Sequence, residues 1–256
     1  MASLGELTAG IAHEIQNPLN FVNNFTEVSA ELVQELADEH TRPAADRDEA
    51  LQTKLLTNLT QNLSKIGHHG NRAAAIVRGM LEHSRASTGQ REPTDLNSLA
   101  DEYPRLSYHG LRQTGDLAED KSLNIKILTA FDPALPLTPV VAQDIWRVLL
   151  NLFNNAFYAV QQRARQTTSP GYEPTVTVQT GRIAGGVILA VTNNGTGIPD
   201  TVKAKVFQPF LTTKPTGKGT GLGLSLSYDI ITKGHGRSLT VTPEEGVGST
   251  FRIELG

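Results

Sequence analysis

The chain has 256 residues, a length that suits one large domain or two small ones. Hydrophobic residues make up 38% and charged residues 19%, and the formal net charge of −3 lacks the basic excess of a duplex-binding face, so nucleic acid is not an expected partner. There is no cysteine, which removes disulfides and thiolate metal sites together and fits a reducing, cytoplasmic setting. No apolar run approaches the roughly 20 residues needed to cross a bilayer. Met1 to Gly10 lacks the basic start and apolar centre of a signal peptide. No membrane contact is therefore expected of this fragment, and a membrane or sensor region would lie elsewhere in a longer protein.

Leu4, Leu7, Ile11, Ile15, Phe21, Phe25, Val28, Leu32 and Leu36 recur mostly at intervals of three, four or seven, which draws an apolar stripe on one helix face. Pro18 falls inside this stretch and predicts a bend near Ala12 to Gln16, because proline removes a helix hydrogen bond. Thr41 to Asp48 reads as a turn. A second stripe follows in Leu51, Leu55, Leu59, Leu63, Ile66, Ala73, Ile76, Val77 and Met80. Two such helices make an αα-hairpin with too little partner surface to bury both stripes. A homodimer completing a four-helix bundle is expected, with an intramolecular bundle as the alternative. Ser87 to Pro93 reads as a linker, giving domains at 1–88 and 89–256.

Beyond the linker the texture is mixed. Asn124 to Phe131 alternates like a strand, and Gln143 to Arg165 reads as helix. Thr175 to Arg182 and Val187 to Thr192 are strands joined by a hairpin at Gly185-Gly186. Leu222 to Lys233 reads as helix, and Ser238 to Thr242 with Ser249 to Leu255 as a closing strand pair. The second domain is thus expected to be an α/β sandwich with a mainly antiparallel sheet.

Three constellations carry chemistry. His13 is followed by Glu14, a neighbour that biases imidazole charge and tautomer, although such a pair is more often ordinary surface. It lacks the second histidine at helical spacing that a zinc helix requires. Asn151 and Asn155 are four apart and share a helix face; asparagine is a poor choice there unless its amide has work, and an amide oxygen is a hard ligand suited to Mg²⁺. Exposed asparagines on a plain helix are the alternative. Two glycine clusters follow: Asn193 to Pro199 after a strand, and Gly217 to Leu224 opening a helix, with Lys214 and Lys218 adding positive charge. Glycines let backbone approach a ligand, and a helix N-terminus offers N–H groups to phosphate. Neither cluster has the Walker pattern or the Gly-x-Gly-x-x-Gly spacing of a dinucleotide fold.

These parts in this order resemble the sensor histidine kinases of two-component systems across nearly the whole chain. Leu7 to Leu19 resembles the H box, Asn151 to Ala156 the N box and Asn193 to Pro199 the G1 box. Val206 to Lys214 resembles the F box, and Gly217 to Leu224 the G2 box. The resemblance implies a dimerisation and histidine-phosphotransfer hairpin followed by an ATP-binding domain of the Bergerat fold, shared with gyrase, mismatch-repair and chaperone ATPases. It makes His13 the phosphoryl acceptor, Glu14 its orienting carboxylate, and Asn17 the residue that orients water for dephosphorylating a response regulator. It gives Mg²⁺ to Asn155, with Asn151 in support. Residues 198–220 become a lid over the phosphates of ATP, anchored by Phe207 and Phe210. Asn193, Gly195, Gly197, Lys214, Lys218, Gly219, Thr220, Gly221, Leu222 and Gly223 then line the nucleotide. The implied partner is a response-regulator receiver domain.

One departure matters. The G1 box of these kinases begins with aspartate, which accepts a hydrogen bond from the adenine amino group; here the residue is Asn193. A charge-assisted hydrogen bond contributes about 1.5–3 kcal/mol and a neutral one about 1 kcal/mol, so weakened nucleotide binding is expected. A kinase of reduced activity, an inactive variant or a pseudokinase scaffold would each carry this change. A Bergerat ATPase is the rival from another class, but it needs a glutamate one turn before the Mg²⁺ asparagine, where this chain has Asn151.

Overall fold

The two long helices are present. A computed structural model describes residues 4–84, 89–114, 123–167, 171–215 and 219–256. Helix α1 runs Leu4–Thr41 with Pro18 inside it, and α2 runs Glu49–Ser84. A single 3₁₀ turn, Ala44–Asp46, lies between them. Glu39 explains why the chain reverses there. Only 3% exposed, it accepts the Asp48 N–H at 2.7 Å and pairs with Arg42 at 2.9 Å, tying the end of α1 to the start of α2. Asp48 then caps α2 by accepting the Leu51 N–H at 3.0 Å. The hairpin buries Leu55, Ala73 and Ile76 but leaves Leu19, Phe21, Val28 and Val33 of α1 and Leu56, Leu63 and Val77 of α2 exposed.

The chain divides into two compact units, Met1–Arg85 with Thr212–Thr220, and Ala86–Leu211 with Gly221–Gly256. The second contains β1 (Glu92–Thr94), α3 (Leu96–Thr114), β2 (Lys126–Ala130), β3 (Thr138–Val140), α4 (Ala142–Gln166), β4 (Thr175–Ile183), β5 (Gly186–Asn193), the single turn α5 (Asp200–Lys203), α6 (Gly223–Asp229), a π turn Ile230–Gly234, β6 (Ser238–Glu244) and β7 (Gly248–Leu255). Five strands form one sheet in the order β2-β4-β5-β7-β6; β2 and β4 are parallel and the other pairs antiparallel. Alternate strand residues, among them Val176, Val178, Leu189, Val191, Phe251 and Ile253, are buried with Ile145, Leu149, Leu152, Phe153 and Phe157 of α4. Truncating either phenylalanine to alanine would cost about 3–5 kcal/mol.

Two features depart from the sequence reading. The segment read as a linker, Ser87 to Pro93, enters β1, which pairs with β3 so that Pro93 faces Pro139, a register that needs no N–H from either. Helix α3 is an addition. Its interior Pro104 hides it in the sequence, but Asp95 caps it, accepting the N–H groups of Asn97 (2.9 Å) and Ser98 (3.2 Å) and the Ser98 hydroxyl (2.7 Å). These bonds hold the Asp95 carboxyl below the usual carboxylate range, the Ser98 hydroxyl contributing most. Among the described residues no helix is long and apolar enough to cross a membrane.

Candidate nucleotide and phosphotransfer site

In the hairpin unit, His13, Glu14 and Asn17 lie within α1. The side chains of His13 and Glu14 fall outside the described residues; Asn17 is half-buried and precedes a buried Pro18. One turn further along, Phe21 stacks on His69 of α2 with ring centroids 4.7 Å apart, and His68 meets His69 edge-on at 5.3 Å. His69 Nδ1 is buried with no hydrogen-bond partner among the described residues. Burial chiefly, then His68 and Arg72, lower its pKa.

In the other unit, α4 organises the site. Asn151 donates through Nδ2 to the Gly223 carbonyl (3.2 Å) and to the Ser227 hydroxyl (3.3 Å), pinning the first turn of α6 to α4. Asn154 accepts the Ser107 hydroxyl at 2.8 Å and so anchors α3. Asn155 is half-buried and its side chain makes no hydrogen bond among the described residues, so its hard oxygen is available as a Mg²⁺ ligand. One turn on, Ala159 receives Gly195 so closely that a Cβ at Gly195 would collide with its backbone.

The Gly195 loop leaves the end of β5. Asn193 is 5% exposed; its Oδ1 accepts the Gly195 N–H at 3.0 Å and its Nδ2 donates to the Ser249 carbonyl at 3.3 Å. Both amide ends therefore have partners, and Oδ1 keeps one lone pair unused by these bonds. Asn194 accepts the Thr175 N–H and donates to the Glu173 carbonyl, each at 2.8 Å. Gly197 follows, and the Gly246 N–H donates to the Thr196 carbonyl at 2.8 Å, tying this loop to the β6–β7 turn.

Phe207 stacks on Tyr228 of α6 at 4.9 Å. Phe210 adopts a left-handed backbone (φ 65°), and Gly221, also left-handed (φ 68°), lies against the Phe210 backbone where a side chain would clash. Leu222 is buried and its carbonyl accepts the Ser225 hydroxyl at 2.9 Å. Of the expected residues, Asn151, Asn155, Asn193, Gly195, Gly197, Gly221, Leu222 and Gly223 thus belong to one unit. Lys214, Gly219 and Thr220 belong to the segment Thr212–Thr220 of the other, where the Lys214 N–H donates to Thr212 Oγ1 at 3.1 Å. Lys218 and Gly217 lie outside the described residues.

The family described as "His Kinase A (phospho-acceptor) domain" matches residues 3–89, and "Histidine kinase-, DNA gyrase B-, and HSP90-like ATPase" matches residues 140–256. The sensor histidine kinase ZraS of Escherichia coli K12 is 29% identical over 255 residues, and the sensor kinase CckA of Brucella abortus 33% identical over 263.

The chain belongs to the sensor histidine kinases.

It spans 46% of the length of ZraS and 24% of CckA. The histidine kinase ThkA, solved in complex with the response regulator protein TrrA, matches 98% of the chain and 61% of its own at 26% identity and a TM-score of 0.61. Within this kinase core the sequence reading missed Ser249, whose carbonyl meets Asn193 across the β5–β7 pair, along with Tyr172 and Arg163. Only Arg163 left a signal, by continuing the Asn151–Asn155 spacing of four.

Proposed function

We propose that this chain transfers the γ-phosphoryl group of ATP to His13 and then to an aspartate of a response-regulator receiver domain. A neutral ring nitrogen of His13 attacks the γ-phosphorus in line, the bond from that phosphorus to the bridging oxygen breaks, and ADP leaves with the electron pair. Glu14 orients the imidazole and offsets the positive charge that grows on it. Mg²⁺, when bound, neutralises phosphate charge. Asn155 supplies its amide oxygen, while Asn151 keeps α6 and Gly223 in place and Asn17 orients a water that hydrolyses the regulator's phospho-aspartate to aspartate and inorganic phosphate. Residues 1–88 serve phosphotransfer and dimerisation, and 89–256 bind ATP.

The observation that carries transfer over simple hydrolysis is Asn151. One turn before Asn155 stands an amide engaged with Gly223 and Ser227, not a carboxylate able to activate water. The exposed Leu19, Phe21, Val28, Val33, Leu56, Leu63 and Val77 support a homodimer that covers them. The ThkA complex supports a receiver domain as partner. A second reading, a core of reduced activity, rests on Asn193 in the place of aspartate.

Incubation with labelled ATP and Mg²⁺ should give acid-labile, base-stable phosphate on His13, and His13→Gln should abolish it while leaving nucleotide binding intact. Labelling that persists at another histidine would overturn the assignment.

A further inference from the structure

Asn151, Asn155, Ala159 and Arg163 follow one another at intervals of four along α4, so they form one continuous stripe. The first three hold Gly223, offer a free amide, and receive Gly195. The fourth reaches the far end of the site. Arg163 Nη1 donates to the Asn194 carbonyl at 2.8 Å, the Val247 carbonyl at 2.8 Å and the Gly195 carbonyl at 3.4 Å. Its guanidinium lies 4.9 Å from the centre of the Tyr172 ring, whose hydroxyl is 3.1 Å from the Asn194 carbonyl and 3.3 Å from the Val160 carbonyl. Among the described residues Arg163 pairs with no carboxylate; the cation is surrounded by backbone oxygens instead.

Three carbonyls converging on one point repel unless a donor stands between them. Two belong to the loop that follows Asn193 and the third to the β6–β7 turn that brackets it. That loop is glycine-rich, and apart from Arg163 its backbone is held to other backbone by the Asn194 N–H to the Thr175 carbonyl and by the Gly246 N–H to the Thr196 carbonyl. We propose that Arg163 is a positioning residue for the nucleotide base: it locks residues 194–195 and 247 together, so that Asn193 keeps its Gly195 bond and holds its remaining lone pair where the adenine amino group docks. This rests on the ATP-binding reading above. Burial pushes the Tyr172 phenol up, with Arg163 acting in the opposite sense, so the hydroxyl remains a donor at neutral pH.

All three carbonyls are reached by a single nitrogen whose two N–H groups are shared among them, which separates a positional role from bulk packing: a lysine ammonium offers three N–H donors from one atom but lacks the planar face that lies over Tyr172. Arg163→Met, Arg163→Lys and Tyr172→Phe should be compared in the full chain by titration of a fluorescent ATP analogue with Mg²⁺, by steady-state autophosphorylation, and by amide hydrogen exchange without nucleotide. Loss of a charged hydrogen-bond donor predicts about tenfold weaker binding and a KM raised in proportion for Arg163→Met, with the rate at saturating ATP within about twofold of native. Arg163→Lys should recover affinity to within about threefold, and Gly195 and Thr196 should exchange faster only in the methionine variant. Should that variant not fold, Tyr172→Phe carries the test, with about threefold weaker binding at unchanged maximal rate. Native affinity together with native exchange in Arg163→Met, an equal loss in the lysine variant, or unchanged affinity in Tyr172→Phe would each overturn the proposal. A native chain that binds no nucleotide would instead sink the ATP reading, while the exchange of Gly195 would still decide whether Arg163 orders the loop.

Discussion

Asn193→Asp restores the acceptor charge that the kinase family uses, and the geometry limits what it can gain. An unpaired amide NH₂ in the pocket would carry a penalty of about 1–3 kcal/mol, but Nδ2 has the Ser249 carbonyl as partner, so that penalty does not arise. What remains is the difference between a charge-assisted and a neutral hydrogen bond to the adenine amino group, about 0.5–2 kcal/mol, or roughly 2- to 30-fold in affinity. The new carboxylate oxygen would face the Ser249 carbonyl in free and bound protein alike, so that repulsion cancels in the binding constant and appears in stability. A loss of about 1 kcal/mol lowers the melting temperature of a domain of this size by about 2–4 °C. Calorimetric titration with ATP at fixed Mg²⁺, together with a thermal melt of each form, measures both quantities. Equal affinities would remove the basis for a core of reduced activity. A gain beyond a hundredfold would mean that the amide NH₂ faces the base, and an unchanged melting temperature that the Ser249 bond contributes nothing; either would refute the reasoning.

Asn155→Ala should abolish the Mg²⁺-dependent part of nucleotide affinity with little change in melting temperature, whereas Asn151→Ala should lower stability by about 1 kcal/mol because it strips the donor from Gly223 and Ser227; the reverse pattern in melts and titrations would exchange their roles. The isolated segment 1–85 should sediment as a dimer and unfold on dilution, since its exposed apolar side chains need a second copy, and a well-folded monomer would contradict this. His69 titrates below its ordinary range, so the unfolded chain takes up a proton first as pH falls. The folded hairpin therefore loses stability from about pH 6.5 downward, and His69→Gln should flatten that acid limb; an unchanged limb in pH-dependent melts would count against the partly buried imidazole as its source. Asp95→Ala should destabilise the second unit by about 0.5–2 kcal/mol through loss of the α3 cap, as read from denaturant midpoints.

Periodic patterns were legible because they record local geometry. The 3.6-residue period of Leu51, Leu55 and Ile76 and the alternation of Thr175 to Arg182 needed no partner to be read, and α1, α2, β4 and β5 fall where they were expected; the hairpin turn is Ala184-Gly185, one residue before the expected Gly185-Gly186, because Gly186 already pairs with Ile183. The spacing of Asn151 and Asn155 likewise placed both on α4. Helix α3 was hidden because Pro104 breaks the local rule while tertiary burial of Leu96, Ala100 and Tyr108 overrides it. The pairing of β2 with β4 joins segments about fifty residues apart, and no period in one segment names its partner in another. For the same reason only the folded chain decides what Asn193 does. Its identity is written in the sequence, but whether its NH₂ is satisfied depends on Ser249, 56 residues away, and whether its loop is held depends on Arg163 meeting Val247, 84 residues away, contacts that exist only once the sheet has closed against α4.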